Sequence, residues 1–177
     1  MSRRVAVLGA VSVVVVGSVA GCGGGGAGPF VWPKDAGRSV SGIPVKTGQL
    51  AVTALPLDSI AARAVLLDVR RQYADDAKGL RIRYAASTGR GLHIGGARGW
   101  QPRSWDLRPL AGFVIPPHTP TAVVIGAAAA KPGVYLLRGF IVDYRIGGTH
   151  CSAPQQVGLE VCAGGRSCSD NPLNRWP

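Results

Sequence analysis

GVYLLRGFIVDYRIG, residues 133–147, is the stretch that decides the fold. Apolar and polar side chains alternate along it, which is the pattern of a β-strand that covers a core with one face. The alternation slips by one residue between Leu137 and Phe140. A β-bulge near Gly139 explains the slip, because glycine often marks a point where one strand takes an extra residue. The sequence therefore predicts one long, irregular strand here.

Shorter segments with the same two-residue period occur from Gln49 onward, separated by Gly, Pro and Asp. The clearest of them are residues 65–69, 80–84 and 157–161, and residues 122–125 form a continuous apolar run typical of a buried strand. No long amphipathic helix lies between them to make a parallel crossover. We therefore predict an all-β fold, an antiparallel β-sandwich of seven or eight strands, over residues 48–162.

Residues 59–68 fit two patterns. Ile60, Ala64 and Leu67 have helical spacing, with Asp58 as a possible N-cap. Val65, Leu67 and Val69 have strand spacing. We expect a strand, with a helical turn at its start as the alternative.

The N-terminus has the layout of an export signal. Arg3 and Arg4 precede an uncharged apolar run, residues 5–20, which is shorter than the roughly 20 apolar residues of a comfortable membrane span. Val19-Ala20-Gly21-Cys22 follows and resembles the lipobox of bacterial lipoproteins. The resemblance implies diacylglycerol on the sulfur of Cys22 and cleavage before it. An uncleaved anchor or a plain secretory signal is the alternative, and the export route, general or twin-arginine, stays open.

This reading predicts location and domain organisation. Residues 1–21 are the signal peptide, residues 22–47 a lipidated N-terminus with a glycine-rich tether, and residues 163–177 a C-terminal tail. Loss of the signal lowers the formal net charge from +11 to +9, because Arg3 and Arg4 leave with it. We expect a lipid-anchored protein on the extracytoplasmic face of the cell membrane. Its basic surface would meet anionic lipid or cell-wall polymers, and no nucleic acid.

Three segments carry a further resemblance: residues 107–117, the Pro-Gly-Val-Tyr at 132–135, and residues 139–145. They resemble the immunoglobulin-like ectodomains of small actinobacterial lipoproteins and secreted proteins. The resemblance covers about residues 50–162 and describes strands and turns. It implies an immunoglobulin-like β-sandwich and implies little about function.

Cys151, Cys162 and Cys168 would face an oxidising compartment, in which thiols pair. Cys162 with Cys168 is the first candidate pair, because Gly164 and Gly165 can turn the chain back. Cys151 with Cys162 is the second, because a hairpin centred near residue 156 would place these two opposite each other. The distances between their Cα atoms decide the pairing.

His150 lies beside Cys151, and with Cys162 and Cys168 it offers ligands of the kind that zinc and copper take. Their spacing is that of no standard zinc finger, and a disulfide is the more natural fate of such cysteines outside the membrane. We predict no metal and no cofactor. An accessory metal- or redox-handling lipoprotein that uses His150 and the C-terminal cysteines is the alternative function.

Catalytic motifs are lacking: no Gly-x-Ser-x-Gly occurs, and Glu160 is the one glutamate. We predict that the chain is not an enzyme. Trp100 and Trp105, with Arg103 between them, are a candidate ligand surface for a sugar or a peptide. The alternative is that both rings cap the end of the sandwich. The predicted function is a membrane-anchored binding or structural module, with a subunit of a membrane complex as a further possibility.

Overall fold

The computed structural model describes residues 22, 30, 37–57, 60–73, 78–88, 96–100 and 105–175. Within them the chain forms ten β-strands and one short 3₁₀ helix, Pro172–Arg175. The strands are β1 (Ser39–Val45), β2 (Leu50–Leu57), β3 (Ala64–Arg71), β4 (Leu80–Thr88), β5 (Gly96–Arg98), β6 (Arg108–Pro109), β7 (Val114–Ile115), β8 (Thr121–Ala129), β9 (Gly133–Ile146) and β10 (Thr149–Ala163). None of the helical structure in these ranges is long and apolar enough to cross a membrane.

The strands make two five-stranded sheets. One has the order β1-β10-β9-β3-β7 and is called the β10 sheet; the other has the order β5-β2-β8-β4-β6 and is called the β8 sheet. Every pairing is antiparallel except that of β1 with β10, which is parallel and sets Ser39 opposite Val157. The prediction of an all-β fold built from mostly antiparallel sheets is confirmed. The described residues form ten strands and not the predicted seven or eight, because β5, β6 and β7 are only two or three residues long and β1 lies outside the predicted sandwich.

A single large core lies between the two sheets. Its fully buried side chains come from both of them, and they include Leu55, Ile125, Leu137, Phe140 and Leu159. Tyr84 of the β8 sheet meets Phe140 of the β10 sheet edge to face, with ring centroids 6.5 Å apart. Burial of apolar area from both faces, at about 25 cal/mol per Å², holds the two layers together.

The irregularity of the long strand lies opposite Gly139. Arg138 pairs with Gly158 and Phe140 with Gln155, so one residue of β9 faces two residues of β10. Gly139 has a φ of 93°, which a residue with a side chain rarely adopts. The extra residue is therefore on β10, across from the glycine near which the sequence predicts a bulge.

One segment differs from the expectations, and the ambiguous segment 59–68 leads into the expected strand. Ser39–Val45 lie in the segment assigned to the tether, but they form β1 at the edge of the β10 sheet. In the ambiguous segment, strand β3 begins at Ala64 and the residues just before it are bends, so the helical stripe does not form in the described part, from residue 60 onward.

Candidate functional site

Cys22 is held against the sandwich by a disulfide to Cys151 of β10, with the two Cα atoms 5.4 Å apart. Cys151 is buried, and Cys22 is half-buried and packs on the core. The sulfur of Cys22 also lies 3.9 Å from the hydroxyl oxygen of Tyr144, the residue opposite Cys151 on β9. A disulfide occupies the bond that a lipid thioether would need, so one sulfur cannot hold both.

Phe30 is bound at the same place. Its side chain is buried, and its ring centroid lies 4.7 Å from that of Tyr144. The side-chain amide nitrogen of Gln155 donates a hydrogen bond to the backbone carbonyl oxygen of Phe30. Burial raises the pKa of the Tyr144 hydroxyl, and a hydrogen bond with the Phe30 backbone opposes that shift. Cys22 and Phe30 therefore both contact the sandwich around Tyr144.

His150 does not belong to this cluster. It is exposed opposite Arg145, beside the turn that joins β9 to β10, whereas its neighbour Cys151 is buried. Successive side chains of a strand point to opposite faces, which separates the two. The alternative prediction groups His150 with Cys151 as metal ligands, but the structure does not bring these two side chains together.

The C-terminal residues fold back over the outer face of the β10 sheet. Cys162 and Cys168 form the second disulfide, with Cα atoms 5.4 Å apart. Gly164 and Gly165, with φ values of 70° and 79°, make the turn between them. Gly42 of β1 leaves room for the bridge, because a Cβ at that position would lie 3.1 Å from the Cβ of Cys168. Of the two pairings considered above, the structure has Cys162 with Cys168.

Glu160 lies under this bridge and is fully buried. Its carboxylate accepts hydrogen bonds from the Ser169 backbone N–H, at 2.8 Å, and from the Ser169 hydroxyl, at 2.6 Å. One carboxylate oxygen is 3.8 Å from the sulfur of Cys162. The carboxylate therefore fastens the chain that follows the disulfide.

In the described ranges, the residues close enough to share a metal ion are Glu160, Cys162 and Cys168, with ligand atoms within 4.8 Å of one another. His150 is not among them. The two sulfurs are bonded to each other, so in this oxidised form the group is a disulfide beside a carboxylate. Sequence spacing does not reveal Glu160 as a member, because its contact with Cys168 depends on the returning chain.

Trp100 and Trp105 cover the outer face of the β8 sheet. Together with Leu50 and Leu107 they pack over a small second core, formed by Val52, Ala85 and Val124. Trp100 lies directly on Gly126, where a Cβ would come within 2.5 Å of a ring carbon. Both rings remain half-buried. The rings therefore lie on a sheet face and do not cap the end of the sandwich, and Arg103 lies outside the described residues.

Comparison with known protein families finds no family model that matches this chain, and comparison with curated proteins finds no match either. The three clusters around Tyr144, Glu160 and Trp100 are therefore the observations that bear on function.

Proposed function

We propose that the chain is an exported lipoprotein, attached to the outer face of the cell membrane through Cys22, whose β-sandwich acts as a non-enzymatic binding or structural module. Export is supported by the Cys162–Cys168 disulfide, because disulfides persist in oxidising compartments outside the cytoplasm. The Val19-Ala20-Gly21-Cys22 pattern supports the lipid.

The observation that carries the proposal is the position of Cys22. It is the last residue of the lipobox pattern, and it is also a residue that packs on the core of the sandwich. Phe30 reinforces this attachment, because it is buried against Tyr144. An acyl anchor at Cys22 would therefore hold the sandwich close to the membrane, where anionic lipid headgroups, cell-wall polymers or a membrane complex are within reach.

The sandwich is proposed to be immunoglobulin-like. In that fold one sheet has the strand order A-B-E-D and the other contains C-F-G. Here β2-β8-β4 would correspond to B-E-D, and β3-β9-β10 to C-F-G. The short strands β5, β6 and β7, between β4 and β8 in the chain, are additional to that set. Such sandwiches commonly serve as extracellular modules, which agrees with a binding or structural role.

Membrane fractionation with intact-mass measurement tests the anchor. A fraction of the wild-type chains should fractionate with membranes and carry a diacylglycerol mass on the peptide that begins at Cys22. Cys22→Ala should remove both properties, whereas Cys168→Ala, which breaks the other disulfide, should keep both. An unmodified Cys22 in every wild-type chain would overturn the proposal.

The alternative function, an accessory metal- or redox-handling lipoprotein, is favoured by one observation, the closeness of Glu160, Cys162 and Cys168. Reduction of the bridge would leave two thiolates and a carboxylate, which are zinc ligands. Zinc titration of the reduced chain, with Glu160→Gln as the comparison, tests it. Binding that is unaffected by this substitution would contradict the role of the group.

A further inference from the structure

The sulfur of Cys22 has two candidate partners and can bond to only one. The lipobox pattern assigns it to a lipid thioether. The folded chain places Cys151 beside it, with Cα atoms 5.4 Å apart, inside the range that a disulfide requires. Nothing in the pattern of residues 19–22 anticipates that second partner, which lies 129 residues further along the chain.

We propose that Cys151 competes with the lipid for the sulfur of Cys22, so that the chain exists in two forms. The anchored form carries the lipid on Cys22 and a buried free thiol at Cys151. The unanchored form is closed by the Cys22–Cys151 disulfide. This inference rests on the lipid attachment proposed above and identifies Cys151 as the residue that limits it.

The two reactions have different products and different co-reactants. In lipid attachment, a carbon–sulfur bond forms between Cys22 and the glyceryl carbon of a phospholipid, the bond to the phosphate headgroup breaks, and the thiol proton leaves with that headgroup. In the competing reaction, Cys22 and Cys151 pass two electrons and two protons to the disulfide of an exported thiol oxidant. That oxidant is reduced to a dithiol by thiol–disulfide exchange.

The fold favours the disulfide once the sandwich has formed. Phe30 is bound at Tyr144 and Gln155, which lie on the two strands next to the bridge. Phe30 lies only eight positions after Cys22 in the sequence, and random-coil scaling gives an end-to-end distance of roughly 14 to 17 Å for that length. A thiol held on so short a tether has an effective concentration in the millimolar range at its partner. Lipid attachment instead needs an accessible Cys22, so it must act before the segment binds to the sandwich.

Burial protects the thiol of Cys151 until Cys22 reaches it. Its exposed fraction is 6%, so reagents in solution reach it poorly, whereas the docked Cys22 reaches it directly. A chain that is acylated first retains Cys151 as a thiol on β10. A chain that folds first loses the thiol of Cys22 to the bridge.

The test is to express the full chain and Cys151→Ser in a bacterium that acylates lipoproteins. Intact mass then gives the fraction of chains with lipid on Cys22, and peptide mapping without reduction gives the fraction with the Cys22–Cys151 cross-link. The wild type should contain both forms, and its lipidated form should take up one thiol reagent at Cys151 after unfolding. Cys151→Ser should lose the cross-linked form and shift to the lipidated form. Cys168→Ser, which breaks the other bridge, should leave the partition unchanged.

The outcomes separate this inference from the proposed function. Lipid on Cys22 in all wild-type chains, without any cross-linked peptide, would overturn the competition and leave the anchor in place. An absence of lipid in both the wild type and Cys151→Ser would overturn the anchor, and the inference with it. Cys151→Ala serves as a second variant. If the serine hydroxyl disturbs the buried site, Cys151→Ala should still show the shift to the lipidated form.

Discussion

Replacing Gly126 with alanine should destabilise the protein, because Trp100 occupies the space that the new methyl group needs. A Cβ at this position would lie 2.5 Å from ring carbon Cζ3 and 2.6 Å from Cε3 of Trp100. Carbon atoms prefer a separation of about 3.5 to 4.0 Å, so the ring would have to move by about 1 Å. Gly126 lies in β8, all of whose residues are buried and which is paired on both sides, so the backbone has little freedom to give way.

Two opposing effects set the magnitude. Overpacking of a well-packed site costs about 1 to 3 kcal/mol. Alanine is better than glycine inside a strand by roughly 0.5 to 1 kcal/mol, because glycine loses more backbone freedom on folding. In a Trp100→Ala background the clash with the ring is absent and a contact of 3.3 Å with Cδ2 of Leu50 remains, so Gly126→Ala should be close to neutral. The coupling energy between the two positions should be about 2 kcal/mol, as for residues in direct contact.

Urea unfolding followed by far-ultraviolet circular dichroism measures all four chains of this cycle without depending on tryptophan fluorescence. Gly148→Ala is the matched control, because nothing lies within 4 Å of a Cβ at Gly148, so its effect should be near zero in both backgrounds. An equal cost of Gly126→Ala in both backgrounds would refute the reasoning. It would mean that the Trp100 ring is not on the sheet and is free, with Arg103 and Trp105, to form a ligand surface.

Three further predictions concern the other two clusters. The chain-entropy model assigns about 5 kcal/mol to a bridge with a separation of 129 residues and about 2 kcal/mol to one of 6. In denaturant unfolding of the oxidised, unanchored chain, Cys22→Ser should therefore cost more than Cys168→Ser, and the reverse order would contradict the model. Glu160→Gln replaces the carboxyl group that accepts two hydrogen bonds from Ser169, so it should lower the free energy of unfolding by about 1 to 3 kcal/mol and speed amide hydrogen exchange at Ser169. Unchanged exchange would show that other contacts hold the tail. Burial raises the pKa of Tyr144 above its unfolded value of about 10, so its stabilising contribution is complete below that pH and is lost as pH rises through the folded-state pKa. Tyr144→Phe should make the unfolding free energy less dependent on pH above about 10, and an unaltered pH profile would argue against this.

Periodicity was sufficient to predict the fold class. In β4, Arg81 and Arg83 are exposed while Leu80 and Ile82 are partly buried, as strict alternation requires. Periodicity did not predict which side chains of β3 are buried: the buried residues are Ala64, Leu66 and Val69. A register shift between Leu66 and Asp68 moves the chain to the other face, and such an extra residue leaves no clear mark in a pattern of short apolar side chains.

The tether predicted for residues 22–47 includes β1, whose sequence SVSGIPV has no strong apolar pattern. Two features weaken it: Pro44 has no backbone N–H to donate, and Gly42 has no side chain to bury. Both become understandable once the partner is known, since β1 is an edge strand and Cys168 packs on Gly42. A parallel pairing with a strand more than a hundred residues away has no local signal.

The candidate sites were predicted less completely than the fold. The turn at Gly164 and Gly165 indicated the pairing of Cys162 with Cys168, because that bridge is local. The Cys22–Cys151 bridge depends on the path of the whole chain, so spacing carries no information about it. In the same way, Trp100 is recognisable as a large apolar side chain, but only the folded chain places it on Gly126.

The parallel pairing of β1 with β10 has a consequence for the order of assembly. In a chain that crosses the membrane N-terminus first, Ser39–Val45 emerge before any other strand, yet their partners are Val157–Ala163. Sheets that depend on such distant contacts fold slowly, because closing the loop between the partners costs conformational entropy before any stabilising contact forms. Until residue 163 has emerged, β1 is an open strand edge that can pair with another chain. The rate of translocation, more than the intrinsic stability of either strand, would then determine how long each molecule is exposed to aggregation.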